Sequence, residues 1–100
     1  MVIIANKTGK VKDRGGNETE ISFYKLIIDC ISAPPEGGWT FDEMKNSLKI
    51  EGKTSSVSGD LRLEDSEFSV LKKCIERQKW VILSPFVVEF VEYITSLRES

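Results

Sequence analysis

The sequence predicts an α+β fold, with four helices packed on a minor sheet of two or three short strands, in an order that begins like a winged helix. Three observations predict it. Four segments repeat their apolar residues at helical spacing between start and stop signals: 19–32, 41–50, a third from Asp65 or Ser66 up to Trp80, and 85–97. Three short runs, 2–6, 61–64 and 80–83, are β-rich or alternate like strands. The chain has 100 residues, 40% of them hydrophobic and 30% charged, which suits one soluble domain with a core that needs no staples.

Residues 1–18 are read as an edge strand followed by a mobile basic arm. Met1 to Lys7 opens with β-formers. Thr8 to Glu20 is polar, broken at Gly15-Gly16, and carries cations at Lys10, Lys12 and Arg14 just after Lys7. The first helix, Thr19 to Ser32, has capping spacing at Asn17 and Glu20. Its stripe is Ile21, Tyr24, Ile27, Ile28 and Ile31, widened by Phe23, Leu26 and Cys30, and Ala33-Pro34-Pro35 ends it.

Glu36-Gly37-Gly38 is a turn. Thr40-Phe41-Asp42-Glu43 is a capping box that opens the second helix, with Phe41, Met44, Lys45 and Leu48 along one face, Ile50 just beyond and Gly52 as a stop. A polar loop from Thr54 to Asp60 leads to the alternating run Leu61 to Glu64. The third helix presents Phe68, Leu71, Cys74, Ile75 and Gln78 on one face. Asp65 and Glu67 lie at its start and Lys72, Lys73, Arg77 and Lys79 toward its end, the distribution that complements a helix dipole. Trp80 to Leu83 is a continuous apolar run, expected to lie beside 61–64 through a right-handed crossover. Ser84-Pro85 caps the last helix, which buries Phe86, Val87, Phe90, Val91, Ile94 and Leu97.

Composition excludes more than it assigns. The net charge of −2 lacks the cationic surplus of a nonspecific nucleic-acid binder. The absence of histidine removes the commonest general base and metal ligand, and with only Cys30 and Cys74 no zinc site of ordinary spacing can be written. Both cysteines fall on apolar helix faces and read as buried small hydrophobes. Glu64, Asp65 and Glu67 are accounted for by capping, and neither Gly-Gly pair has the spacing of a phosphate loop. The expectation is a non-enzyme without cofactor or metal. No apolar run is long enough for a bilayer, and residues 1–5 are too short for a signal peptide, so the expected location is cytoplasmic.

Two stretches carry a resemblance. The first is Pro34-Pro35-Glu36-Gly37-Gly38-Trp39-Thr40-Phe41-Asp42-Glu43-Met44 with Leu48-Lys49-Ile50. The second is Leu61-Arg62-Leu63-Glu64-Asp65, then Leu71-Lys72, Trp80 and Val88-Glu89-Phe90. Together they resemble a group of small accessory proteins of bacteriophages and prophages whose function is uncharacterised. The resemblance implies an accessory or assembly role without an attached activity. The chain departs from that pattern at 53–58, which is short and polar here.

The function expected is therefore protein–protein interaction, with a phage or host protein as partner and a homodimer through Phe86, Phe90, Tyr93 and Leu97 as a variant. The alternative is a winged-helix-like DNA-binding regulator, although the segment where its reader would lie, Glu51 to Asp60, is weakly basic. Candidate partner-binding residues are Lys10, Lys12 and Arg14 on the arm, Trp39 in its Gly-Gly-flanked turn, and Lys73 with Arg77, four apart on one helix face.

Overall fold

A computed structural model describes residues 1–12, 15–34, 36–80 and 84–97. Four helices and four short strands follow in the order β1 (Val2–Ile4), β2 (Thr8–Lys12), β3 (Glu18–Ser22), α1 (Phe23–Ser32), α2 (Phe41–Ser56), β4 (Leu61–Leu63), α3 (Asp65–Arg77) and α4 (Pro85–Ser96). The α+β class and the four helices are as the sequence predicts. The strands form two separate antiparallel pairs among the described residues, β1 with β4 and β2 with β3.

The largest difference is at the N-terminus. Residues 8–12 are strand β2 and not part of an arm, and 18–22 are strand β3 and not the first turn of a helix. The register sets Thr8 opposite Ser22, Lys10 opposite Glu20 and Lys12 opposite Glu18 on the outer face. Val11 and Ile21 are buried on the inner face. This alternation is period two, and pairing across the hairpin overrides the helical reading that Asn17 and Glu20 suggested. Residues 5–7 are also tied down. Ala5 N donates to Tyr93 Oη at 2.9 Å, Phe23 N donates to Lys7 O at 2.9 Å, and Lys7 pairs with Glu89 on α4.

Helix α1 therefore starts at Phe23, where Ser22 Oγ accepts from Lys25 N at 3.2 Å. It buries Phe23, Leu26, Ile27, Cys30 and Ile31, while Tyr24 and Ile28 are half-buried. Phe23 is an aromatic hub, 5.2 Å from both Phe86 and Phe90 and 5.5 Å from Tyr93 between ring centroids. The apolar stripe of α4 is spent in this core. Phe86, Phe90 and Ile94 are buried and Tyr93 and Leu97 are partly buried against them, so two of the four residues offered for a homodimer seam, Phe86 and Phe90, are interior.

Strand β4 pairs with β1, Val2 opposite Leu63 and Ile4 opposite Leu61, and these four side chains are buried. The strand expected over 80–83 is described only at Trp80, which is not in a strand; 81–83 lie outside the described residues. Trp80 is half-buried and meets Phe90 edge-on at 6.3 Å. Tyr24 Oη donates to Ile4 O at 2.9 Å and lies 2.5 Å from Gly59 O, joining α1, β1 and the loop before β4.

Candidate functional site: the Trp39 turn and the outer face of α2

Thr40 caps α2, its Oγ1 accepting from Glu43 N at 3.2 Å and donating to Glu43 Oε1 at 2.9 Å. Positive φ at Gly37 (86°) and Gly38 (93°) lets the chain reverse between α1 and α2 and set Trp39 just ahead of this cap. Helix α2 does not stop at Gly52 but runs to Ser56. Contacts from the turn beyond the glycine explain this. Thr54 is buried and donates to Ile50 O at 2.6 Å, and Lys53 Nζ lies 2.7 Å from the buried carboxylate of Glu67. Glu67 also accepts from Glu64 N at 2.8 Å in the capping box of α3. One ion pair thereby clamps the end of α2 to the start of α3, and that outweighs the roughly 1 kcal/mol a mid-helix glycine costs. Residues 54–56, expected at the start of a polar loop, are the tail of this helix.

The rotation of α2 also differs from the apolar pattern. The buried residues are Ser47, Ile50 and Thr54. At about 100° per residue, Ile50 lies roughly opposite Phe41. Phe41 (78% exposed), Leu48 (62%) and Met44 (47%) consequently form an outward stripe, three of the six exposed large hydrophobic side chains among the described residues. Lys45 and Lys49 flank this stripe, exposed and without an ion pair among the described residues.

A cleft of about 230 Å³ opens beside the stripe, lined by Ile31 and Ser32 of α1, by Trp39, and by Met44, Ser47, Leu48 and Glu51 of α2. Ser47 is 7% exposed, and its Oγ is the one buried side-chain polar atom without a hydrogen-bond partner among the described residues.

On its other side Trp39 meets Arg77, whose guanidinium carbon lies 5.7 Å from the ring centroid. Arg77 Nη1 is 3.5 Å from Glu43 Oε2 and Nη2 is 3.4 Å from Cys74 Sγ. The Thr40 hydroxyl, helped by the Arg77 guanidinium, holds the Glu43 carboxyl below its ordinary range. Arg77 thus ties the end of α3 to the start of α2. A second cleft, about 260 Å³, lies beside it and reaches Cys30 and Cys74. Both thiols are free and buried; burial, with Cys74 nearby, pushes Cys30 up to about 12, and burial raises Cys74 as well.

Of the candidate residues, Trp39 and Arg77 are brought together. Lys73 is exposed one turn before Arg77 on α3, and makes no ion pair among the described residues. Lys10 and Lys12 stand on the hairpin opposite Glu20 and Glu18, where cross-strand charges offset one another. Arg14 lies outside the described residues. The apolar spacing puts Phe41, Met44, Lys45 and Leu48 on one face without saying whether that face points inward, and the fold turns it outward. The available signal was the inward set Ser47, Ile50 and Thr54, which has helical spacing but only one large apolar member.

These features define an α+β domain presenting a lysine-flanked apolar helix face beside an aromatic cleft. No family model matches the chain, and no curated protein or solved structure matches it either. Among the described residues, no helix is long and apolar enough to cross a membrane, and no group of three or more His, Cys, Asp or Glu side chains converges as a metal site.

Proposed function

We propose that this chain is a small non-enzymatic accessory protein that acts by binding another protein, with the outer face of α2 and the Trp39 turn as its contact surface. The observation that carries the reading is the continuous stripe of Phe41, Met44 and Leu48 on a helix whose opposite face closes the core. Large apolar side chains scattered singly are ordinary on a surface, but a contiguous set beside an aromatic cleft is a typical interaction site. A phage-type assembly role, with a phage or host protein as partner, rests on the resemblance of 34–50 and 61–90 alone. The DNA-binding reading has less support, because Lys10 and Lys12 are offset by Glu20 and Glu18 and the tail of α2 is engaged with α3.

The test compares wild type with a Phe41→Ser/Leu48→Ser double variant. Each is immobilised and exposed to host lysate, with captured proteins identified by mass spectrometry. A specific protein retained by wild type and lost by the variant supports the reading. Identical captures from both would refute the surface. Retention on random duplex at low salt would revive the DNA reading, since counterion release makes that the most permissive condition.

A further inference from the structure

We propose that the partner presents an acidic amphipathic helix to α2 and sets one polar-edged aromatic side chain, Tyr or Trp, into the cleft beside Trp39. This deepens the protein-binding reading and rests on it. The apolar spacing of Phe41, Met44 and Leu48 at i, i+3 and i+7 matches the stripe by which one amphipathic helix packs on another. A helix laid on that stripe passes the exposed ammonium groups of Lys45 and Lys49, which have no carboxylate partner among the described residues. Acidic residues on the flank of the incoming helix supply it.

Charge also selects against an antiparallel pairing of α2 with a second copy of this chain. In an antiparallel pairing of α2 with its own copy, the two-fold axis brings each flank against its counterpart. Lys45 and Lys49 would then face the copy's identical lysines, a repulsive arrangement. The cleft fixes the central contact. Its volume of about 230 Å³ is below that of sites for drug-sized ligands and suits a single side chain. Its walls combine Ile31, Trp39 and Leu48 with the exposed side chain of Glu51. A purely aliphatic side chain makes no use of that carboxylate, whereas a phenol or indole edge donates a hydrogen bond to it and brings the aromatic area as well.

Synthetic helical peptides free of tryptophan test this, with binding followed by the protein's own tryptophan fluorescence and by calorimetry. All carry the same Leu/Tyr stripe, flanked by Glu in one and Lys in the other. The Glu peptide is expected to bind at least about tenfold more tightly at low salt, with the advantage shrinking as salt rises. Lys45→Glu/Lys49→Glu should reverse the order, and Leu48→Ser should abolish binding of both while the circular dichroism spectrum is kept. Replacing the central Tyr of the peptide by Phe should weaken binding several-fold to wild type and have no effect with Glu51→Ala.

Failure of both peptides to bind, equal binding of both, or an order unchanged by the lysine reversals would overturn the proposal. So would sedimentation showing a wild-type dimer that Leu48→Ser converts to monomer. If the peptides fail while lysate capture still depends on Phe41 and Leu48, the protein-binding reading stands and the acidic-helix inference falls.

Discussion

Gly9 offers a test in which the sign of the effect decides. It lies in β2, and a Cβ built there would sit 2.5 Å from Phe86 Cδ1, 2.7 Å from Cε1 and 3.1 Å from Cγ. Its φ is outside the left-handed region, so alanine meets no backbone penalty. Where nothing obstructs the new methyl, replacing glycine at a compatible site stabilises by roughly 0.4–1 kcal/mol, through loss of unfolded-state entropy. Here the methyl enters the ring of a buried phenylalanine. That ring cannot swing away freely, because it packs 5.2 Å from Phe23, which itself contacts Phe90 and Tyr93. Overpacking of this kind costs about 1–3 kcal/mol. Gly9→Ala should therefore destabilise the fold by about 1–2 kcal/mol after the entropic gain is subtracted. Urea unfolding followed by circular dichroism reads this as a lowered midpoint at unchanged slope. Gly9→Ala in a Phe86→Leu background removes the obstacle and should cost less. A midpoint equal to or above wild type in the single variant would refute the close approach of β2 to α4.

Four further outcomes follow from the same contacts. Lys53→Met leaves the buried Glu67 carboxylate without its cation and should cost roughly 1–3 kcal/mol in urea unfolding, the value of a hydrogen bond to a charged group; a neutral result would remove the α2–α3 clamp. Glu43 titrates below its ordinary range, so its contribution to stability is full above that range and is lost as pH falls through the depressed value. By NMR titration, Thr40→Val should raise the Glu43 pKa more than Arg77→Gln does, and the opposite order would contradict the geometry of the cap. Cys30 is raised from 9.0 to about 12, so the unfolded thiol ionises first and stability falls as pH rises through that window; Cys30→Ala, though less stable overall, should flatten this slope, and an unchanged slope would refute burial of the thiol. Phe41→Ser and Leu48→Ser should each change stability by no more than about 0.5 kcal/mol, as expected for exposed sites, and a larger loss would place α2 in a different rotation.

What the sequence made legible was whatever local chemistry decides. The Thr40 capping box, the Ser84-Pro85 start of α4 and the capped start of α3 are encoded within a few residues, and all are found. The hairpin was not legible, because Glu18 to Ser22 satisfies a short helical pattern and a strand pattern equally. The deciding fact is the pairing of Val11 and Thr19 across an intervening loop. Gly52 was misread for the same reason, since its stop signal is local and the clamp that overrides it joins Lys53 to Glu67, fourteen residues away. Trp39 and Arg77 are both singled out by the sequence, but their direct contact depends on how α3 crosses α2 and has no trace in spacing.

The rotation of α2 is the most consequential of these differences, because it separates folding from recognition within one helix. Its inner face contributes one large apolar side chain, Ile50, together with the small polar residues Ser47 and Thr54. Such a face cannot anchor sixteen residues by hydrophobic burial alone. The helix is held at its ends instead, by Glu43 with Arg77 and Trp39 at the start and by Lys53 with Glu67 near the finish. Those ties leave Phe41, Met44 and Leu48 with no part in closing the core, although turning them inward would bury more apolar area. A pattern shaped by stability alone would bring the larger stripe inside. The stripe is outside, and one of the ties that keep it there uses Trp39, which lines the cleft. Cutting a tie should therefore loosen the helix and the binding face together. Altering the stripe should change the face alone.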